Sequence, residues 1–520
     1  MPKFIPYDHN QSALVVINYQ DQLQPGSFEH AIHHLIENKL DISVFYPSYK
    51  NESNGRPAYD PAVLLKIILF SYSKGITSSR EMQWCCETNI IFKALSCDTV
   101  PHFTTLAEFV SSKSKEIEAL FEQVLLICSE EGLLGNELFA INGCKMPSDA
   151  AKEWSGTFKE LEQKRDKIKR QIHYHINEQK KLDKNESLDD ERHRRMEQSI
   201  EMLNRASERI DEFLKSHSPR MGAGKRQKEV KSNITDNESA KMTTSKGTIQ
   251  GFNGVATVDK KHQVIVDAQA FGSGQEQHTL QPVIEKIDDR FKRLGISEGI
   301  YAEGTIITAD TGFANEANMK YLHENEINAY IPDNKFRSRD PKFKDQKTKY
   351  GKRNQDKQKS KLITSSEFEL DAVNKTCICP SGYNMWLKRE GRDEHNHHKL
   401  FFEGRISKCR ACKIQTHCMR NPSSADTRKG HGRQVSFIIE KGKRNANYTD
   451  WMKHRVDSKK GKQVYSHRMS VVEPVFGNIG TNKRLNRFSL RGKKKVQGQW
   501  QLYCLIHNIE KLNHSGKMAA

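Results

Sequence analysis

The sequence predicts an α/β protein: a mixed-sheet core, an all-α region before it, and two insertions within it. Three observations carry this. Beyond about residue 250 apolar residues recur at every second position in short runs, and these runs alternate with helical patterns. Residues 1–135 show only the helical pattern, with capping residues and turn glycines between segments. A highly charged stretch, Lys159 to Lys215, and a cysteine-rich stretch, Cys377 to Cys418, interrupt the rest.

In the N-terminal region, Pro61 to Tyr72 follows Asp60, an N-cap candidate with proline at the first helical position, and Lys74-Gly75 supplies the stop. Ser78 and Ser79 can cap a second helix from Arg80 to Glu87, and a third follows Thr104-Thr105. Short helices with such turns fit a helix-turn-helix-like module and a plain helical bundle equally well. Trp84, Phe103 and Phe109 read as core.

Leu138 to Asn142 reads as a buried strand ending in a polar residue. Between Lys159 and Lys215, Leu161, Ile168, Ile172 and Ile176 share one helical face, as do Met196, Ile200, Leu203, Ile210 and Phe213. Lys184 to Asp190 lies between them, with Ser187 and Asp190 spaced as a capping box, so a solvated helical hairpin is expected. A Gly/Lys-rich linker, Met221 to Lys231, precedes strands Gly254–Asp259 and Gln263–Phe271, joined by a Lys260–His262 turn. Then come a helix from His278 to Leu294, a strand from Thr305 ending at Asp310, a helix from Glu316 to Asn325 and a strand from Asn328 to Pro332. Lys335 to Lys361, with 12 basic and 3 acidic residues, reads as an exposed basic loop, and Tyr465 to Leu512 as helical. The division expected is 1–135, helical; 136–333, the first part of the core with the hairpin at about 156–216; 334–440, the basic and Cys-rich insertion; and 441–520, a basic C-terminal region.

The 520 residues carry 84 Lys+Arg against 65 Asp+Glu, a formal charge of +19, which favours a polyanionic partner, nucleic acid first. A mean hydropathy of −0.77 and the lack of a long uncharged apolar run exclude an integral membrane protein. The N-terminal residues show no basic-then-apolar pattern, so a cytoplasmic protein is expected. Six of the 11 cysteines are scattered (Cys85, Cys86, Cys97, Cys128, Cys144 and Cys504) and read as buried or neutral thiols. Cys379, Cys409, Cys412 and Cys418 offer four thiolates for one structural Zn²⁺, with Cys377 as a fifth and His395, His397, His398 or His417 as substitutes; reduced structural thiols are the other reading.

Polar residues near the ends of two buried strands, Asn142 and Asp310, and a glutamate among apolar residues on a probable helix, Glu473, define the candidate site. Carboxylates so arranged can hold two Mg²⁺ ions for phosphodiester chemistry.

Ordered along the chain are Gly55-Arg-Pro-Ala-Tyr-Asp-Pro, Gly75-Ile-Thr-Ser-Ser-Arg-Glu, Pro101-His-Phe-Thr-Thr-Leu, Asn142-Gly-Cys-Lys-Met-Pro-Ser-Asp, Gly251-Phe-Asn-Gly-Val-Ala-Thr-Val-Asp, Ala309-Asp-Thr-Gly-Phe, Val472-Glu-Pro-Val-Phe-Gly and Arg487-Phe-Ser-Leu-Arg-Gly. Together they resemble bacterial insertion-sequence transposases of the DDE class, in the branch with a zinc-ribbon-like insertion before the catalytic glutamate. The resemblance implies a ribonuclease-H-like core, a Mg²⁺ pair, double-stranded DNA (terminal inverted repeats and target) as partner, a homodimer during the reaction and a place in the bacterial cytoplasm at the nucleoid. It makes Asp310 the second carboxylate and Glu473 the third, both Mg²⁺ ligands. It assigns DNA contacts to Tyr465 and Arg468, with Lys483 or Arg484 replacing a lysine absent at Gly480, and the basic run adds Arg487 and Arg491. At the first carboxylate the family has Asp where this chain has Asn142, which lacks the charge that offsets divalent cations. The resemblance therefore implies DNA cleavage and strand transfer impaired at Asn142; the alternative is an inactive DNA-binding protein that occupies transposon ends and represses active copies. Asp149, seven residues on, is the nearest carboxylate that follows it in sequence.

Overall fold

The computed structural model describes residues 16–49, 57–183, 190–222, 227–245, 247–301, 303–343, 362–393, 396–427, 430–440 and 447–516. Gly55-Arg56, the Ser187 capping box, part of the Met221–Lys231 linker, residues 344–361 of the basic loop and His395 lie outside these. The chain folds as two units, one of residues up to 334 with 452–520, the other of residues 335–451.

The first unit begins with helices α1 (Phe28–Asn38), α2 (Pro61–Ser73), α3 (Ser79–Thr88), α4 (Ile90–Ser96), α5 (Phe103–Ser112) and α6 (Ser114–Glu130). Asp60 caps α2 by accepting the Ala62 N–H, and Gly75 follows its end at φ +74°. Position 75 requires glycine twice over, because a Cβ there would also lie 2.8 Å from Cδ of Arg484. The cap of α5 differs from expectation: the His102 ring nitrogen, not a threonine, accepts the Thr104 N–H, so the helix starts earlier, at Phe103. Ser78 precedes α3 without a side-chain cap bond. Phe109 is core, whereas Trp84 is 60% exposed, a correction to its reading as core. Of the scattered cysteines, Cys97 is exposed.

The charged stretch forms the expected hairpin, α7 (Phe158–Asp183) and α8 (Asp190–Ser216), closed by Leu161, Ile168, Ile172, Ile210 and Phe213. Around it runs a six-stranded mixed sheet. Its strands are β1 (Leu138–Pro147), β2 (Ala240–Thr244), β3 (Gly247–Asp259), β4 (Ile265–Phe271), β5 (Ile306–Ala309) and β6 (Ala329–Tyr330). The order is β6-β5-β1-β3, with the long β3 pairing β2 along its first half and β4 along its second. β1, β3 and β4 run antiparallel in sequence, and β5 and β6 run parallel to β1. Helices α9 (Leu280–Arg293) and α10 (Glu316–Glu324) make the crossovers between strands.

The region expected to be helical after Tyr465 is two helices, α11 (Lys459–Gly477) and α12 (Lys493–His514), separated by a π turn and an irregular segment. α12 is buried on nearly every side and packs on α1, α2, α5 and α6 as well as on β4. Its side chains close the outer edge of β4. Asn508 accepts the Ile265 N–H and donates to the Ile265 carbonyl, both at 2.8 Å. Gln497 donates to the Ala268 carbonyl at 2.7 Å and accepts the Ala270 N–H at 2.6 Å. The ring of His507, kept neutral by burial with its pKa lowered to about 3, meets the Gln263 carbonyl.

In the second unit, strands β7 (Glu369–Asp371), β8 (Thr376–Ile378), β9 (Asn384–Arg392), β10 (His398–Glu403) and β11 (Gln434–Glu440) form an antiparallel meander in sequence order. Phe368, Cys377, Met385, Leu400, Phe402, Cys418 and Val435 form its core.

Because Asn508 satisfies both an N–H and a C=O at 0% exposure, Asn508→Leu leaves two buried backbone groups unpaired. Urea unfolding is expected to show a loss of about 2–6 kcal/mol. A loss below about 0.5 kcal/mol, the level of an ordinary surface substitution, would refute the edge-closing role.

Candidate active site

β1 and β5 lie side by side and parallel, and their last register pair is Ile141 with Ala309. The next residue on each strand is Asn142 and Asp310, so the two polar groups expected to meet are neighbours on adjacent strands. Asn142 is not a strand end, however. β1 continues to Pro147 because its antiparallel ladder with β3 runs on through the Pro147–Gly251 pair. Gly143 leaves room for the buried Asn253 side chain, since a Cβ would lie 2.9 Å from its Oδ1. Asp310 does cap a turn: one carboxylate oxygen accepts the Thr311 N–H at 2.8 Å, opening the single-turn helix Thr311–Phe313.

α11 packs across β1, β3, β5 and β6 and brings Arg468 to the first of these polar residues. The Arg468 guanidinium is 4% exposed and donates an Nη2–H to Oδ1 of Asn142 at 2.9 Å. Its buried Nε–H has no partner. Tyr465, half-buried, stands almost one turn earlier on α11. Glu473, five residues after Arg468, is exposed, while Val471, Val472 and Val475 around it are buried. A five-residue step turns the helix by about 140° relative to Arg468 and advances it about 7.5 Å.

A further carboxylate belongs to this neighbourhood and was not identified from sequence. Glu276, in the turn Glu276–His278 before α9, packs against the turn after β5, where a Cβ on Gly312 would lie 2.0 Å from its Oε2. Burial raises the pKa of the Glu276 carboxyl; Lys145 and Arg468 pull it back and Asp310 pushes it up. The only trace in the sequence is the complementary pair of turns, Ser273-Gly-Gln-Glu and Asp310-Thr-Gly, each beside a strand end.

As it stands, this donor set does not fit a pair of Mg²⁺ ions. The one amide oxygen of Asn142 is committed to Arg468, Asp310 supplies a single strand-end carboxylate, and Glu473 faces solvent. Among the described residues, no three His, Cys, Asp or Glu side chains are gathered as ligands of one ion are.

The expected DNA contacts divide. Lys483 is 0% exposed and its ammonium is held by Glu510 at 2.5 Å, with burial lowering its pKa, so it is corrected from a surface contact to a buried ion pair. Arg484, Arg487 and Arg491 are exposed. Arg487 and Arg491 both bind Asp149, at 2.9 and 3.0 Å, so the first carboxylate after Asn142 in sequence is engaged elsewhere.

In the second unit, Cys379, Cys409, Cys412 and Cys418 are among the residues that line one small cavity of about 30 Å³. The Arg433 N–H points at Sγ of Cys409 at 3.4 Å, and Gly404 and Gly432 leave that sulfur its room. Burial raises the pKa of both the Cys409 and the Cys418 thiol. Cys377 is in the hydrophobic core against Met385, and His417 is exposed outside the cavity. His398 pairs with Glu390.

Two family models match the chain: Transposase DDE domain over residues 378–513, and Transposase domain (DUF772) over residues 17–112. Neither match spans half of the chain, and together they support an insertion-sequence DDE transposase. The first match takes in the four cysteines, Arg468 and Glu473 of this transposase, and the second takes in α1 to α5; Asn142 and Asp310 lie outside both. No curated protein and no solved structure matches. Transposases of this family bind DNA and generally use a divalent metal. Among the described residues, no helix of the transposase is long and apolar enough to cross a membrane.

A carboxyl whose folded pKa is raised binds its proton more tightly in the native state than in the unfolded chain. Stability is then lost as pH rises from the unfolded value, about 4.3, through the raised one. Glu276→Gln removes that loss. The variant is expected to match the parent below about pH 4 and to gain in relative stability as pH climbs toward neutrality, read as Tm across a pH series. An unchanged difference over that range would show that Glu276 is not held against its own ionisation.

Proposed function

We propose that this transposase binds the terminal inverted repeats of its own insertion sequence in the bacterial cytoplasm, pairing two ends as a homodimer. In active relatives water attacks the phosphodiester at the 3′ end of the element, and the freed 3′-hydroxyl attacks target DNA. Here the reading is that cleavage and strand transfer are impaired at Asn142. The strand order β6-β5-β1-β3-β4, with three antiparallel strands followed by two parallel ones, is what a ribonuclease-H-like core requires and supports that assignment.

The observation that carries the proposal is the Asn142–Arg468 bond beside Asp310. An aspartate at 142 would present a second charged oxygen next to Asp310. An asparagine presents one neutral oxygen, and the guanidinium already uses it. Arg468 keeps further N–H groups, the unpaired Nε among them, for a non-bridging phosphate oxygen. The second reading, a DNA-binding protein that covers transposon ends and represses active copies, rests on the same residue.

On an end-bearing duplex in Mg²⁺, the parent is expected to shift the DNA in a gel without nicking it, and Asn142→Asp to nick faster by about a hundredfold or more. Nicking by the parent at the rate of the variant would sink the impairment. A shift without nicking in either protein would leave the end-binding repressor as the function.

For the second unit we propose one structural Zn²⁺ on Cys379, Cys409, Cys412 and Cys418, supported by their place around one cavity; the thiols are not gathered as a ligand set, and binding the ion would draw them together. Metal analysis of protein purified without chelator is expected to give close to one zinc per chain, lost in Cys409→Ser together with part of the thermal stability. Absence of zinc from the parent would return these residues to the reading of reduced structural thiols.

A further inference from the structure

The helical hairpin α7–α8 enters none of the chemistry above, yet α8 forms one wall of an open groove of about 610 Å³. The opposite walls are the segment after β1, residues 148–152, and the irregular segment that leads into α12. Four cations line it: Lys152, Arg209, Arg487 and Arg491. One carboxylate, Asp149, stands among them and holds the last two in place, Oδ1 to Arg487 and Oδ2 to Arg491. Each guanidinium has five N–H groups, so most of the donors on this pair remain uncommitted. Lys152 and Arg209 form no ion pair among the described residues; Glu212 lines the adjoining cavity that Arg209 and Arg491 share.

An independent observation points to a ligand. Ser148 lines the groove at 2% exposure, and its hydroxyl is buried without a hydrogen-bond partner. A buried hydroxyl left unpaired costs about 1–3 kcal/mol, and a neutral donor among four cations is the equipment of an anion site.

We propose that this groove binds the phosphodiester backbone of duplex DNA, with Arg209 and Lys152 as its free cations, Arg487 and Arg491 pre-set by Asp149, and the Ser148 hydroxyl as a neutral donor. The inference rests on the DNA-binding reading of the transposase and gives its inserted hairpin a task, carrying Arg209 to the backbone. A small phosphate could use the same donors, but the groove's length along three separate segments favours a continuous strand over a single ion.

The test uses the full-length protein, a labelled 30-bp duplex of random sequence and fluorescence anisotropy over a salt series. Lys152→Ala/Arg209→Ala is expected to weaken binding by about tenfold at moderate salt and to lower the slope of log K against log salt by about 1.8. Lys167→Ala/Lys180→Ala, exposed on α7 away from the groove, is expected to change neither. Ser148→Ala is expected to weaken binding severalfold with the slope unchanged, an outcome that a purely structural serine would not give once circular dichroism shows native folding. An unchanged slope in the Lys152/Arg209 variant overturns the proposal, as does an equal loss in the α7 control. So does a variant that keeps its DNA affinity while losing inorganic phosphate binding by calorimetry, which would make the groove a small-anion site. If the parent binds no duplex at all, the DNA-binding reading fails first; if the parent binds and the slope is unmoved, only the groove fails.

Discussion

The first unit depends on one constraint: β4 has an outer edge, and α12 is what satisfies it. A strand edge presents unpaired N–H and C=O groups that are costly to bury. Here the partner is not another strand but the side-chain amides of Gln497 and Asn508, whose donor and acceptor each meet a complementary group on β4. An amide side chain carries a donor and an acceptor side by side, the spacing that an N–H and a C=O on one strand edge require. The same helix packs on α1, α2, α5 and α6, so the closure also joins the N-terminal helices to the sheet. Arg290 adds a second tie, reaching Asp267 on β4 and Glu122 on α6 from a position that is 0% exposed. The N-terminal helices and the core thereby share one interior.

That interior decides where the site lies. The parallel pairing of β1 and β5 sets Asn142 beside Asp310, and α11 lies across the same strands, which fixes Arg468 above them. Glu276 comes close because the turn before α9 fills the space left by Gly312. The candidate site is thus a meeting of four separate segments held by backbone register and close glycine contacts.

Much of this was legible in the residues, for identifiable reasons. The caps and stops of α2, the strand alternation around residues 254–271 and the apolar faces of α7 and α8 are local signals, and local signals are what a single sequence contains. Asp310 at the end of β5 was readable because β5 is short and buried, with the polar residue following directly. The continuation of β1 past Asn142 was not, since it depends on the length of its partner β3. Lys483 was misread for a similar reason: in a run of basic residues nothing marks the one whose partner, Glu510, stands one helix away. Trp84 has the composition of a core residue and the position of a surface one. Glu276 required knowing which turns face each other, which is a tertiary fact.

On the proposed reading, the asparagine at position 142 shows how fold and chemistry come apart. Asparagine and aspartate have nearly the same shape, and either accepts a hydrogen bond from a buried guanidinium. For Arg468 the difference is one of degree, a charge-assisted bond to a neutral oxygen in place of an ion pair. With Asp310 and Glu276 already close by, a neutral residue at 142 removes a third negative charge and with it mutual repulsion in a partly buried space. Folding therefore accepts the amide readily. A site meant to gather divalent cations makes the opposite demand, because the repulsion among its carboxylates is what the cations relieve. The structure around Asn142 meets the first demand and not the second, and an intact core combined with an incomplete donor set is the physical form that the proposed impairment would take.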